Sequence, residues 1–345
     1  MIIEELDPAA AQEWDAYVTA KADANCYHLH GWRAVGERGY GLRAPFLAAR
    51  TRLRGELLGV LPLFFVGGAL SRGYATTGLF GAYGRVLSES EQIGRALIDE
   101  ASFCAARAGL GSLRCKALGE EPCAKGFTEL PHWVVATLPL PKSAAEAWEG
   151  LRGKVRNCIR KAQRFGFEVR EGRGEVDGFY DVLAENMHRK GTPIYGLPMM
   201  RALVDAFGPA ANVITLLHEG RTVSGAILLT FNGAVTVPFA SSRPGSFHMN
   251  PNNLLYWEII SRACAAGLHT LDFGRSVRDS TPLAFKLGWG AVTTPQPLLV
   301  RTLRGKAPRM DGESPVVRGL VALWQRLPRQ LADLLGPWVC QRYLA

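Results

Sequence analysis

Apolar and polar positions follow one another in the same order in the two halves of the chain. In the first half, RTRLRGELLGVLPLFF places a charged turn at Gly55 before an apolar run, and ALIDEASFCAARAGLGSLRCKAL reads as a helix that stops at Gly109 and gives way to a strand. In the second half, LHEGRTVSGAILLTF turns at Gly220, and LLYWEIISRACAAGLHTLDFG reads as a helix that stops at Gly267 before another strand. Gly55 and Gly109 are 54 residues apart and Gly220 and Gly267 are 47 apart, so the two frames differ by a loop's length. Leu255, Ile259, Ile260 and Ala263 recur at helical spacing, and Gly267 supplies the left-handed residue that commonly ends a helix. The β-branched and aromatic run AVTVPFAS precedes this helix, which makes the unit a strand, a helix and a parallel strand. Each half is therefore expected to be an α/β domain with a mixed sheet.

Between the halves lies LRGKVRNCIRKAQRFGFEVREG. Leu151, Val155, Ile159 and Ala162 form an apolar stripe, while Arg152, Arg156, Arg160 and Arg164 recur every four residues beside it, with Lys154 and Lys161 nearby. No acid interrupts the cations from Arg152 to Arg164. A solvated helix between domains and an anion-binding face both fit this pattern.

Forty Lys and Arg against thirty-one Asp and Glu give a formal charge of +9, which favours an anionic partner. The acidic start MIIEELDPAA lacks the basic and apolar regions of a secretory signal and reads as cytoplasmic. The apolar run at 57–70 is interrupted by Gly59, Pro62, Gly67 and Gly68 and is too short to span a bilayer, so buried strands are expected there. Cys26, Cys104, Cys115, Cys123, Cys158, Cys264 and Cys340 show no paired spacing and read as reduced thiols. His28 and His30 in YHLHGW would share one face of a strand, but no second cluster completes a metal site, and none is expected.

The stretch LDFGRSVRDSTPLAFKLGWG begins as a buried strand, breaks at Gly274, and sets Lys286 among apolar neighbours. That lysine either carries its charge out to the surface along its stem or aims it at something bound. Together with the double repeat, the basic joining segment, NNLLYWEIISRACAAGLHTLDFGRS and YHLHGW, the final FKLGWG resembles the FemAB-like proteins, over roughly residues 1–300. The wording is most similar to the FemAB-related branch associated with PEP-CTERM/exosortase and exopolysaccharide systems.

The resemblance implies tandem GNAT-like domains at 1–145 and 146–302 with a helical tail at 303–345. It implies transfer of an acyl or aminoacyl group to an amine of an envelope or exopolysaccharide precursor. The donor is aminoacyl-tRNA or acyl-CoA, and no tightly bound cofactor is expected. It places Lys286 by the transfer site, where a fixed charge can stabilise the donor or the developing oxyanion. The peptidoglycan-type members carry a lysine shortly after the tryptophan that Trp32 matches. Here Arg33, Ala34, Val35 and Gly36 follow it, with Arg33 or Arg38 as substitutes.

Around Lys286 the chain offers Asp272 in a supporting role and Tyr256 as a hydroxyl donor or a core aromatic. Phe285, Arg275, Asn252, Asn253, Arg156, Arg160, Lys161 and Trp32 are candidates for substrate contact. Pro251 and the amides of Asn250, Asn252 and Asn253 suit a helix N-terminus that is either capped or open to an anion. SSRPGSFHMNPNN lacks the glycine-rich pyrophosphate loop of an ordinary acetyl-CoA enzyme, and no nucleophile elbow occurs. Glu185 and His188 sit three apart at a predicted helix end, as an acid–base pair or a solvated terminus.

The tail reads as two amphipathic helices split at Pro328, with Leu320, Leu323, Trp324 and Leu327 on one face and Arg318, Arg326, Arg329 and Arg342 around it. It either docks on its own domains or meets the inner face of an anionic membrane. The expected partner is an anionic donor or acceptor: tRNA, CoA, or a nucleotide- or lipid-linked glycan precursor. A non-catalytic RNA- or glycan-binding module that uses the Arg152–Arg164 face is the alternative from another class.

Overall fold

The computed structural model describes residues 1–67, 73–119, 126–305 and 315–341; Cys123 and Arg342 lie outside them. The chain forms two compact units, Met1–His132 with segments that begin at Pro295 and Trp338, and Trp133–Thr294 with the tail up to Pro337.

The first unit takes β1 (Ile2–Glu5), α1 (Ala11–Thr19), α2 (Gly31–Tyr40), β2 (Leu47–Arg50), β3 (Leu57–Leu61), β4 (Phe64–Val66), β5 (Tyr74–Thr76), β6 (Leu87–Ser88), α3 (Glu91–Arg107) and β7 (Ser112–Lys116). The apolar run is two buried strands, β3 and β4, parted at Pro62, which has no N–H to give a ladder. The strands on either side of that break join different sheets, β3 the order β1-β2-β3-β6 and β4 the order β4-β5-β7.

The second unit takes β8 (Thr128–Pro139) from Trp133 onward, then α4 (Ala144–Gly150), α5 (Gly153–Gln163), β9 (Glu168–Glu171), α6 (Val176–Arg189), α7 (Leu197–Phe207), β10 (Ala211–His218), β11 (Arg221–Phe231), β12 (Ala234–Ser242), α8 (Pro251–Ala265), β13 (Thr270–Val277) and α9 (Thr281–Gly288). Its strands run in the order β8-β13-β12-β11-β10-β9. A core of Leu255, Ile259 and Ile260 from α8 with Val155, Ile159 and Ala162 from α5 covers one sheet face. On the other face Phe179 of α6 lies where a Cβ on Gly225 of β11 would reach it at 2.9 Å, so only glycine lets that helix sit so close. β14 (Val292–Thr302) returns to the first unit and pairs antiparallel with β7 from Leu298 to Thr302.

Both units contain the expected crossover. β5 and β7 are parallel with α3 between them, and β12 and β13 are parallel with α8 between them. Gly109 and Gly267 end α3 and α8 with φ of 77° and 72°. At the first hairpin tip the left-handed residue is Arg54, one position before Gly55, whereas Glu219 and Gly220 share that role in the second.

The tail forms α10 (Pro315–Arg326) and α11 (Arg329–Val339). Within the second unit it is tied to α6: Gln325 Nε2 donates to Arg189 O at 2.9 Å, and His188 Nε2 bonds Leu327 O at 3.0 Å. Arg329 ion-pairs with Asp181, and Glu185 ion-pairs with Arg243. His188 is therefore engaged with the hairpin and Glu185 with Arg243, rather than with each other.

Candidate active site

β12 and β13 pair in parallel over three residues, Ala234↔Thr270 to Thr236↔Asp272, and the two strands part beyond them. The sequence predicts a strand that breaks at Gly274. Instead β13 continues to Val277, and its register with β8 shifts between Asp272 and Arg275. Gly274 carries the bulge with φ of +72°. Its N–H donates to Asp272 Oδ1 at 2.8 Å, and its carbonyl accepts from Lys286 Nζ at 2.8 Å. The two peptides that flank the Gly274 Cα are thus held by the two candidate ionisable residues, one each. An alanine at 274 would take a left-handed φ and bring its Cβ within 3.3 Å of Val237 O. Gly274→Ala is expected to cost about 1–2 kcal/mol, seen as a fall of several degrees in Tm; an unchanged melt would show that the bulge relaxes freely.

Lys286 reaches the clamp from α9. Ser280 Oγ accepts from Leu283 N at 3.3 Å to cap that helix, and Leu283 and Lys286, three apart, are its buried positions. The lysine is 7% exposed, and Nζ also donates to Arg275 O at 3.1 Å. Its charge does not reach the surface along the stem; it lies inside on two main-chain carbonyls. Burial lowers its pKa from 10.5 to about 8, with Asp272 opposing the shift. The side chain remains largely an ammonium at neutral pH. Two of its three protons are engaged by the carbonyls, which leaves one donor.

Tyr256 packs against Phe273 at 5.0 Å, Phe285 at 5.5 Å and Trp289 at 6.3 Å between ring centroids. These rings form one aromatic cluster within the core of the second unit. Burial raises the Tyr256 pKa, so its phenol stays protonated and offers a donor. Trp289 Nε1 and Ser276 Oγ are buried without a hydrogen-bond partner. Trp289 belongs to the FKLGWG motif, but sequence gives no sign of its unmet N–H or of Ser276, since an unmet donor is visible only in three dimensions.

At α8 the capping expectation changes. Asn250 has φ of +55° and no side-chain cap; its carbonyl accepts from Asn253 N at 3.1 Å. Asn252 Oδ1 accepts from Ser242 Oγ at 2.6 Å, and that hydroxyl is 2.6 Å from Ser224 Oγ. The serine pair was not anticipated; it fixes the Asn252 carboxamide at the end of β12. Asn253 is half-buried in the same turn. The helix N-terminus follows β12 on the side where β12 and β13 cease to pair, which is where open α/β sheets receive ligands.

The remaining candidates fall elsewhere. The Arg275 guanidinium lies 5.0 Å from the Trp133 ring centroid. On α5 the apolar stripe is buried as expected. Arg160 sits 5.3 Å from the Trp148 ring, Arg156 pairs with Glu149 at 3.6 Å, and Lys161 is exposed. Trp32 lies in the core of the first unit, 2% exposed, with Nε1 donating to Cys26 O at 2.9 Å. Its reading as a substrate contact has no open surface behind it. Arg33 is buried too, donating to Leu6 O at 2.8 Å and to Glu37 at 3.0 Å, so it does not take the place of a phosphate-gripping lysine. His28 bonds Arg85 O through Nε2 at 2.9 Å and accepts from Asn25 N through Nδ1 at 3.0 Å. Among the described residues no group of three His, Cys, Asp or Glu side chains could hold a metal, and no helix is long and apolar enough to cross a membrane. The six described cysteines are free.

Residues 150–286 match the family model described as an acetyltransferase (GNAT) domain. The fold is shared with solved structures at low identity. FemX is 16% identical with a TM-score of 0.65, covering 87% of this chain and 97% of its own. A tandem GNAT protein from the clavulanic acid biosynthesis pathway is 12% identical with a TM-score of 0.57, covering 89% and 99%. L-PGS from Bacillus licheniformis is 14% identical with a TM-score of 0.56, covering 95% and 99%. No curated protein sequence matches the chain. The architecture is thus a mixed α/β fold of the tandem GNAT kind with a helical C-terminal region.

Proposed function

We propose that the chain is a FemAB-like N-acyltransferase that forms an amide on an amine of a cell-envelope or exopolysaccharide precursor, in the manner of the PEP-CTERM-associated branch. The observation that carries this reading is the buried Lys286 ammonium on the Gly274 peptide, where β12 and β13 stop pairing within a GNAT fold. The acceptor amine attacks the donor carbonyl carbon. The C–N bond forms, the donor's ester or thioester bond breaks, and the proton lost by nitrogen is balanced by protonation of the leaving oxygen or sulfur. The remaining Lys286 donor stabilises the oxyanion between these events, Asp272 positions the bulge, and Tyr256 offers a neutral hydroxyl to the leaving group.

An aminoacyl-tRNA donor is favoured by α5 and its flanks. Arg152, Lys154, Arg160, Lys161 and Arg164 are all exposed there, while the opposite face of the helix is buried. Replacing Arg156, Arg160 and Lys161 together by Gln is expected to weaken tRNA binding and lower the log–log salt slope by about 2 to 3, with little change in Tm. An unchanged slope would remove α5 from the donor site. A CoA donor is the second reading, supported by the α8 N-terminus that no side chain caps. It predicts acyl-CoA consumption that the same triple change leaves intact.

A further inference from the structure

The tail hairpin shows its apolar side to solvent. Half of the exposed large hydrophobic side chains among the described residues fall within residues 315–341. Leu320 is 60% exposed, Leu323 61% and Leu334 73%, and Leu331, Leu335 and Trp338 extend the stripe along α11 at helical spacing. What ties the hairpin to α6 is polar: the Arg329–Asp181 ion pair, His188 on Leu327 O, and Gln325 on Arg189 O. An amphipathic helix that only completed its own core would turn its leucines inward. Here the ion-paired side faces the domain, with Val321 beside Gly191 and Gly336 beside Ile194, and Leu320, Leu323, Leu331, Leu334 and Leu335 face out.

Charge indicates what covers them. Arg318 and Arg326 are exposed on α10, and neither has an ion pair among the described residues. The sole acid of the described hairpin, Asp333, is held by Arg329 at 3.3 Å. A second copy docked through this face about a two-fold axis would add two more arginines and no free acid. An anionic lipid surface supplies the missing counter-charge and takes up leucines and a tryptophan at its interface. We propose that α10 and α11 form a monotopic docking surface for an anionic phospholipid bilayer, with the leucines in the acyl boundary and Arg318 and Arg326 at the phosphates.

Flotation of the full chain with vesicles tests this without reference to the transferase reading. At about 0.1 M salt, the protein is expected to rise with phosphatidylglycerol–phosphatidylcholine vesicles and stay down with phosphatidylcholine alone. The Leu323→Glu/Leu334→Glu variant should bind at least about tenfold less, since charges replace the inserted side chains. Arg318→Gln and Arg326→Gln should each weaken binding about fivefold. That arm keeps every leucine, so it decides the matter should the glutamate variant melt early. Failure of the native chain to float with anionic vesicles would overturn the proposal. So would a dimer seen by light scattering that the glutamate changes dissociate, with no vesicle binding in either form, because the face would then belong to a second copy.

Discussion

Lys286→Met is expected to slow acyl transfer about 100- to 1000-fold, the loss that follows removal of a fixed oxyanion donor. The same change should shift Tm by only a few degrees, because two effects on stability oppose each other. Methionine leaves the carbonyls of Gly274 and Arg275 without their shared donor, at about 1–3 kcal/mol for each buried acceptor. It also relieves the burial of an ammonium whose pKa falls from 10.5 to about 8, a penalty of about 3 kcal/mol at neutral pH. The pH dependence carries the signature. Between pH 8 and 10.5 the unfolded chain binds more protons at this site than the folded one, so native stability rises through that window and the contribution is lost again as pH falls through 8. The methionine variant lacks that rise, which paired thermal melts at pH 7.5 and 10 would read. Lys286→Arg should rescue little of the rate, because a planar guanidinium cannot occupy the place of a compact ammonium bonded to two adjacent carbonyls. Normal turnover by both folded variants would contradict the assignment.

Arg243→Met should produce the largest loss of stability, about 3 kcal/mol, and a fall of roughly 6–12 °C in Tm. Arg243 is 5% exposed, ion-pairs with Asp181 and Glu185, and donates through Nε to Thr222 O at 2.7 Å. Its removal strands two carboxylates and a carbonyl. The figure sits at the low end for a buried pair because both acids keep partial access to water and Arg329 remains beside them. Burial resists ionisation of Asp181, but hydrogen bonds from Arg243 and Arg329 outweigh it and hold the carboxyl below its ordinary pKa. That stabilisation is complete above the unfolded carboxyl's pKa and is lost as acid titrates the folded one. The melts of wild type and Arg243→Met should therefore converge below about pH 4. A constant gap across that range would mean that the arginine acts through packing alone.

Local periodicity made much of the fold legible. The stripe of Leu151, just before α5, and Val155, Ile159 and Ala162 on it is buried as read, and α8 stops before Gly267 with a parallel strand beyond it. The candidate site was legible only as residue types. A glycine after Leu-Asp-Phe reads as the end of a strand, yet a single left-handed residue with a register shift lets β13 run on, and that shift places its carbonyl under Lys286. Distant partners settled other roles. Arg33 turned inward to Leu6, 27 residues away, and His188 found Leu327, 139 residues away, neither of which spacing could disclose. The cap at α8 failed for a conformational reason, since Asn250 in a left-handed φ offers its carbonyl to the first turn and no side-chain oxygen.

The proposed reaction is transfer of an acyl group to an amine at the clamped Lys286 site. Its most direct test is intact-mass spectrometry of amine acceptors, amino sugars and short peptides with a free amine, after incubation with charged total tRNA or with acyl-CoA and either wild-type protein or Lys286→Met. Wild type is expected to add the mass of an amide-linked acyl or aminoacyl group with matching loss of donor, and the folded Lys286→Met protein to do so about 100- to 1000-fold more slowly. Salt-dependent binding of tRNA by both proteins, with every donor intact and no acceptor mass gained, would contradict it and leave a nucleic-acid-binding module on a GNAT fold.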